Sequence, residues 1–156
     1  MRKYKNAKID IFVGDISSEK FIQSVKLNVI KKYKKIDVLI NNAAVDYKLD
    51  KKHKNLISKT QLENFDLGLW QKDLNVGLTG ALICTKYFGS EMAKKKSGVI
   101  LNIASDLSII APDNRIYNTG KHNVFKTVKP VSYSVVKHGI VGLTKYTSVY
   151  WADKNV

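Results

Sequence analysis

Cys84 is the only cysteine in this 156-residue chain, so no disulfide can form within it. Its neighbours Ala81, Leu82 and Ile83 suit a helix core, where a thiol packs as a small hydrophobe. His53, His122 and His138 are scattered and no spaced acidic cluster accompanies them, so a metal site is not expected. Apolar runs are all short of the roughly 20 residues that span a bilayer. The basic start, Met1-Arg2-Lys3-Tyr4-Lys5, has no apolar segment behind it, which argues against a secretory signal and for a cytoplasmic location. Arginine is nearly absent, with Arg2 and Arg115 alone, although the formal charge is +14. Sites that read nucleic acid recruit arginine for bidentate contacts, whereas lysine runs at helix ends and loops are ordinarily solvated faces. Specific nucleic-acid binding is therefore not expected, and weak attraction to polyanions is.

What is present is the composition of a soluble globular protein, 44% hydrophobic and 26% charged, and of a length that suits one domain. Ile9–Val13 reads as a short strand, closed by Gly14-Asp15-Ile16-Ser17-Ser18. Phe21, Ile22, Val25, Val29 and Ile30 recur at near-helical spacing up to the lysines at 31 to 35, and Ile36–Ile40 follows as a second, buried strand. Strand, helix and strand with short joints predict a parallel α/β sheet. A lysine-rich loop from about Asp46 to Lys59 leads into a helical stretch from about Asn64 to Lys95, with Asn75, Gly77 and Gly80 marking a bend. Val99–Ala104 is a third strand, Ser105 to Lys129 is irregular, and a last helix runs from Ser132 to Trp151.

On that last helix Tyr133 and Lys137 are one turn apart and share a face. A phenol, with an ordinary pKa near ~10, is a poor base at neutral pH. An ammonium one turn away favours the phenolate, and the helix N-terminus pushes the same way. The spacing alone is common on ordinary helix surfaces; Asn75 and Ser105 upstream give it weight.

Together these residues resemble the short-chain dehydrogenase/reductase family, over about Asp15 to Lys154. Asp15-Ile16 resembles the acidic residue after the family's third strand, beside the adenine site. Asn41-Asn42-Ala43-Ala44 resembles its Asn-Asn-Ala-Gly element, with Ala44 in place of glycine. Asn75, Ser105, Tyr133 and Lys137 match the catalytic positions in order. The resemblance implies an NAD- or NADP-dependent oxidoreductase interconverting a hydroxyl and a carbonyl, with cofactor contacts at Asp15, Ile16, Asn41, Asn42, Ala43, Tyr133 and Lys137. Tyr133 would exchange the proton, Lys137 assist it and hold the cofactor ribose, Ser105 orient the reacting oxygen, and Asn75 bind a relay water. It also implies a homo-oligomer built on the two long helices.

The family's glycine-rich Thr-Gly-x-x-x-Gly-x-Gly turn is missing, as are the residues that choose NAD over NADP. The expected fold is thus a partial Rossmann-like, doubly wound parallel sheet: family strands 3, 4 and 5 with flanking helices, strands 1, 2, 6 and 7 absent. Residues 1–156 then make one incomplete domain, which alone should expose sheet edges, bind cofactor poorly and be inactive. An insertion at about 106–130 brings Arg115, Tyr117, Lys121, His122, Phe125 and Lys126 near the substrate, with Ser105, Arg115, Tyr117 and Lys121 as candidate contacts. This segment resembles bacterial members of flagellin modification and surface-polysaccharide sugar biosynthesis, which points to a nucleotide-linked sugar. Two alternatives stay open: a sugar-nucleotide epimerase or dehydratase of the same superfamily, and a non-catalytic or nucleic-acid-binding basic protein.

Overall fold

The computed structural model describes residues 7–45, 61–117 and 128–156. Helix α1 spans Glu19–Tyr33; the Ser18 hydroxyl accepts from the Phe21 N–H at its start. Lys34, at φ 67°, ends it in the left-handed conformation, with Lys31 and Lys32 in the negative last turn. Strand β1, Val38–Asn41, follows.

A continuous helical stretch over 67–95, α2, begins where the Asp66 carboxylate accepts from the Leu69 N–H at 3.0 Å. It is α-helical over Leu67–Leu74, widens to a π-helical turn at Asn75–Thr79, and widens again at Thr85–Gly89 before closing at Lys95. The bend expected at Asn75 and Gly77 is thus a change of hydrogen-bond pitch, with no break in the helix. Strand β2, Val99–Asn102, pairs in parallel with β1 in the register Val38↔Val99 to Asn41↔Asn102. Helix α3, Val131–Tyr150, ends the fold.

Leu39 and Ile100 turn one sheet face toward the helices. Ile22, Ile83 and Cys84 pack beneath it against Ile16, Phe21 and Leu39, while Ala81, Val136 and Ile140 join α2 to α3. The strand expected to be buried at Ile36–Ile40 is covered on one face alone: the opposite face is apolar and open, with Val38, Ile40, Val99 and Leu101 48–59% exposed, because the described helices pack on the other side.

Ile9–Val13, read as family strand 3 without its family neighbours 1 and 2, forms no ladder among the described residues, while the other two strands pair in parallel. A strand needs a neighbour for its N–H and C=O groups, and among the described residues none lies alongside. The segment is held instead by Asp10, which accepts from Lys32 Nζ at 2.6 Å and Tyr33 Oη at 2.8 Å. The lysine-rich loop expected from about Asp46 to Lys59 lies outside the described residues. Among those described, no helix is long and apolar enough to cross a membrane.

Candidate active site

Close helix packing positions the pair at 133 and 137. Gly77 lies so near α3 that a Cβ there would meet Val136 Cγ1 at 2.6 Å, and Gly139 faces Leu78 in the same way at 2.9 Å. Lacking side chains at these two points, α2 and α3 approach closely beside the ends of β1 and β2. Lys137 is carried into the protein, 8% exposed, and its Nζ donates to the Ile103 carbonyl at 2.6 Å, just past β2. Tyr133 is one turn earlier; its ring centroid is 5.7 Å from Lys137 Nζ. A second ammonium, Lys129 Nζ, sits 3.8 Å from the same centroid.

Two cavities meet at this helix. The larger, ≈190 Å³, has Tyr133, Lys137, Lys129, Asp73 and Tyr117 in its walls. The smaller, ≈100 Å³, runs past the C-terminal ends of both strands and is walled by Ile16, Asn41, Asn42, Ala43, Ile103 and Lys137. Ala44, Gly77, Val136 and Lys137 line both. The junction between them is therefore the position of Lys137, with Tyr133 on the larger side.

Asn41 also anchors a polar chain beneath the site. Its Nδ2 donates to Asn102 Oδ1 at 2.8 Å and Thr85 Oγ1 at 3.2 Å, and Asn102 Nδ2 donates to Thr144 Oγ1 at 2.9 Å. This ties both strands to α2 and α3. Ile16 reaches the smaller cavity, whereas the Asp15 carboxylate folds back onto the Ser17 N–H and hydroxyl, each at 2.8 Å. Those bonds, the hydroxyl's first, hold the Asp15 carboxyl below its ordinary range.

Asn75 opens the π-helical turn: its carbonyl accepts from the Gly80 N–H, and its side-chain oxygen accepts from Gln71 Nε2 at 2.8 Å. Ser105 caps a short turn, Asp106–Ser108, that packs on α3. Its hydroxyl donates to Asp106 Oδ1 at 2.7 Å and accepts from the Leu107 N–H at 3.2 Å, so it is turned to its own turn. The bond from Ser105, then that from the Leu107 N–H, lowers the Asp106 carboxyl.

Of the insertion residues, Tyr117 lines the larger cavity. Arg115 is exposed and forms a fork on Asp113, with Nη2 to Oδ2 at 2.7 Å, outside the cavity walls. The guanidinium is paired with this neighbouring carboxylate at the surface. Lys121, with His122, Phe125 and Lys126, lies outside the described residues.

Three residues at the site escaped sequence reasoning. Lys129 carries a usable signal, since it lies one turn before Tyr133 and beside Pro130. Asp73 and Ser132 flank the recognised Asn75 and Tyr133, and their mutual hydrogen bond is long-range.

A parallel strand pair joined through a helix, with helices on one face and a cleft at the strands' C-terminal ends, is an α/β fold of partial Rossmann-like type. More narrowly, the chain belongs to the family described as short chain dehydrogenase, whose profile matches residues 1–156.

Relatives include an uncharacterized oxidoreductase of Thermotoga maritima, 29% identical over 127 residues, covering 81% of this chain and 45% of that protein. A 3-oxoacyl-(acyl-carrier-protein) reductase of a Synechocystis strain is 32% identical over 127 residues, covering 81% and 41%. An NAD-dependent glycerol dehydrogenase of Listeria innocua is 30% identical over 142 residues, covering 91% and 46%. Among solved structures, ElxO with NADP bound superposes with a TM-score of 0.72 at 26% identity, covering 94% of this chain and 49% of that one. A putative gluconate 5-dehydrogenase of Beutenbergia cavernae with bound NADP gives 0.71 at 26% identity, covering 97% and 50%. The chain spans about half the length of the relatives it matches.

Proposed function

We propose that this chain carries the catalytic centre of an oxidoreductase that uses NAD or NADP to interconvert a hydroxyl and a carbonyl. The observation that carries the proposal is the placement of Tyr133 and Lys137 on one helix face, where two cavities adjoin. The smaller cavity has the chemistry for such a cofactor. Ile16 offers an apolar wall, Asn41–Ala43 border it, and Lys137 spends one of its three N–H donors on Ile103. The other two are available for ribose hydroxyls. Family relatives that bind NADP or are named for NAD support this assignment.

When bound, the nicotinamide supplies the hydride acceptor or donor. Tyr133 takes the proton from the substrate hydroxyl in oxidation and returns it to the carbonyl oxygen in reduction. Lys137 stabilises negative charge on the phenol oxygen during that exchange. Ser105 orients the reacting oxygen after its hydroxyl turns from Asp106, and the π-helical turn at Asn75 supplies backbone groups for a relay water. Tyr117 in the wall, with the resemblance of the 106–130 segment, supports a sugar substrate linked to a nucleotide. The stacked, exposed Tyr146 and Tyr150 on α3 support a homo-oligomer built through that helix.

The test is Tyr133→Phe in the polypeptide that bears these residues. Loss of turnover by about 10²–10⁴-fold, with cofactor affinity unchanged, is expected from NAD(P)H absorbance and equilibrium binding. Full activity in the variant would overturn the proposal, and product formed without net NAD(P)H change would identify an epimerase.

A further inference from the structure

The larger cavity contains a cation that the proposed chemistry does not use. Lys129 enters from the residue before Pro130, half-buried, and its backbone N–H is fixed by Asn114 Oδ1 at 3.3 Å. Pro130 is buried and starts α3, so the side chain issues from a restrained backbone at the helix entrance. Its ammonium lies over the Tyr133 ring. Among the described residues no carboxylate forms an ion pair with it. Asp106 feels its charge but is occupied by Ser105 and Leu107, and the cavity's own acid, Asp73, accepts from buried Ser132. Lys137 sits at the junction with the smaller cavity, where it is bonded to Ile103 and its remaining donors are assigned to the cofactor ribose in the proposed function. Lys129 is therefore the charged group still available to something entering the cavity.

The rest of the wall is largely apolar, with Ala44, Val45, Val128, Pro130 and Val136. A volume of ≈190 Å³ is a little above the ~150 Å³ that holds one benzene. The part of a ligand enclosed here is thus about the size of one six-membered ring. A neutral ligand would cover the ammonium without replacing its lost hydration, whereas an anion would pair with it in a water-poor setting.

We infer that Lys129 binds an anionic group of the substrate, placed within a short spacer of the carbon that reacts at Tyr133. The shared chemistry is an oxyanion, supplied either by the carboxylate of an oxo or hydroxy acid or by the phosphate of a sugar derivative. Specificity of this kind rests on the proposed function for the word substrate, but the binding can be measured without turnover.

The full chain, labelled with ¹⁵N, is titrated with 4-oxopentanoate, its neutral methyl ester, and dihydroxyacetone phosphate, following the Tyr133 and Lys137 amides. One of the two anions is expected to bind at least about tenfold more tightly than the ester, in line with one charge-assisted hydrogen bond. Which anion wins distinguishes carboxylate from phosphate. Lys129→Gln should remove the preference and Lys129→Arg should keep it. Equal binding of anion and ester overturns the inference, as does binding of neither anion. So does a preference that survives Lys129→Gln, which would trace to the general charge of +14. Anion preference alongside a fully active Tyr133→Phe would sink the proposed function and leave this inference standing; Tyr133-dependent turnover without anion preference would do the reverse.

Discussion

Ser132 Oγ donates a hydrogen bond to Asp73 Oδ2, joining α3 to α2 through two buried side chains that are 0% and 7% exposed. The bond lies immediately before Tyr133 in one helix and two residues before Asn75 in the other. It also sets a carboxylate near the N-terminal end of α3, where Pro130 offers no side-chain cap.

Ser132→Ala removes the donor and leaves Asp73 one bond short in a buried place. The expected cost is about 1–3 kcal/mol, read from urea unfolding. Ser132→Thr, which keeps the hydroxyl, should recover part of it. A change within error for Ser132→Ala would show that the bond contributes nothing.

Gly77→Ala drives a methyl group against Val136, so overpacking should destabilise the chain by about 1–3 kcal/mol. Adding Val136→Ala vacates the contact. The double variant should therefore be more stable than the sum of the two single losses, a coupling measurable by a thermodynamic cycle.

Cys84 is buried, and burial pushes its thiol above the ordinary range. Iodoacetamide should label it slowly in the folded chain and rapidly once denaturant opens α2. Equal rates in both states would contradict the packing described.

The Asp106 carboxyl is lowered chiefly by the Ser105 hydroxyl. A group whose folded value lies below its unfolded one stabilises the fold above the unfolded value, and loses that contribution as pH falls through the folded one. Asp106 should thus favour the folded state at neutral pH, the effect fading below about pH 4. Ser105→Ala should move the Asp106 titration upward, as followed by ¹³C NMR, and flatten that acid limb.

The open face of Val38, Ile40, Val99 and Leu101 should make the purified 156-residue chain bind a hydrophobic dye and self-associate. Ile40→Thr together with Leu101→Thr should reduce both, by fluorescence and sedimentation. Unchanged dye binding would place the sticky surface elsewhere.

Strand β1, α2, strand β2 and α3 were all legible in order, because short apolar β-prone runs and the 3.6-residue helical period are written locally. Tyr133 and Lys137 share a face for the same reason: four residues are about one helical turn wherever the helix lies. Ile9–Val13 shows the limit of that logic. Its β-prone residues specify an extended preference, but a ladder requires a neighbouring strand, which is a property of the assembled sheet.

By itself, then, the sequence determined the parallel α/β plan, the family motifs in order and the candidate pair on α3. Only the tertiary structure decided that Asp73 meets Ser132, that Lys137 reaches the Ile103 carbonyl, and that Asn41 joins Asn102 and Thr85. Local spacing settles which residues share a helix face. Which residues meet between α2, α3 and the strands depends on how closely those elements approach, which is a property of the assembled fold.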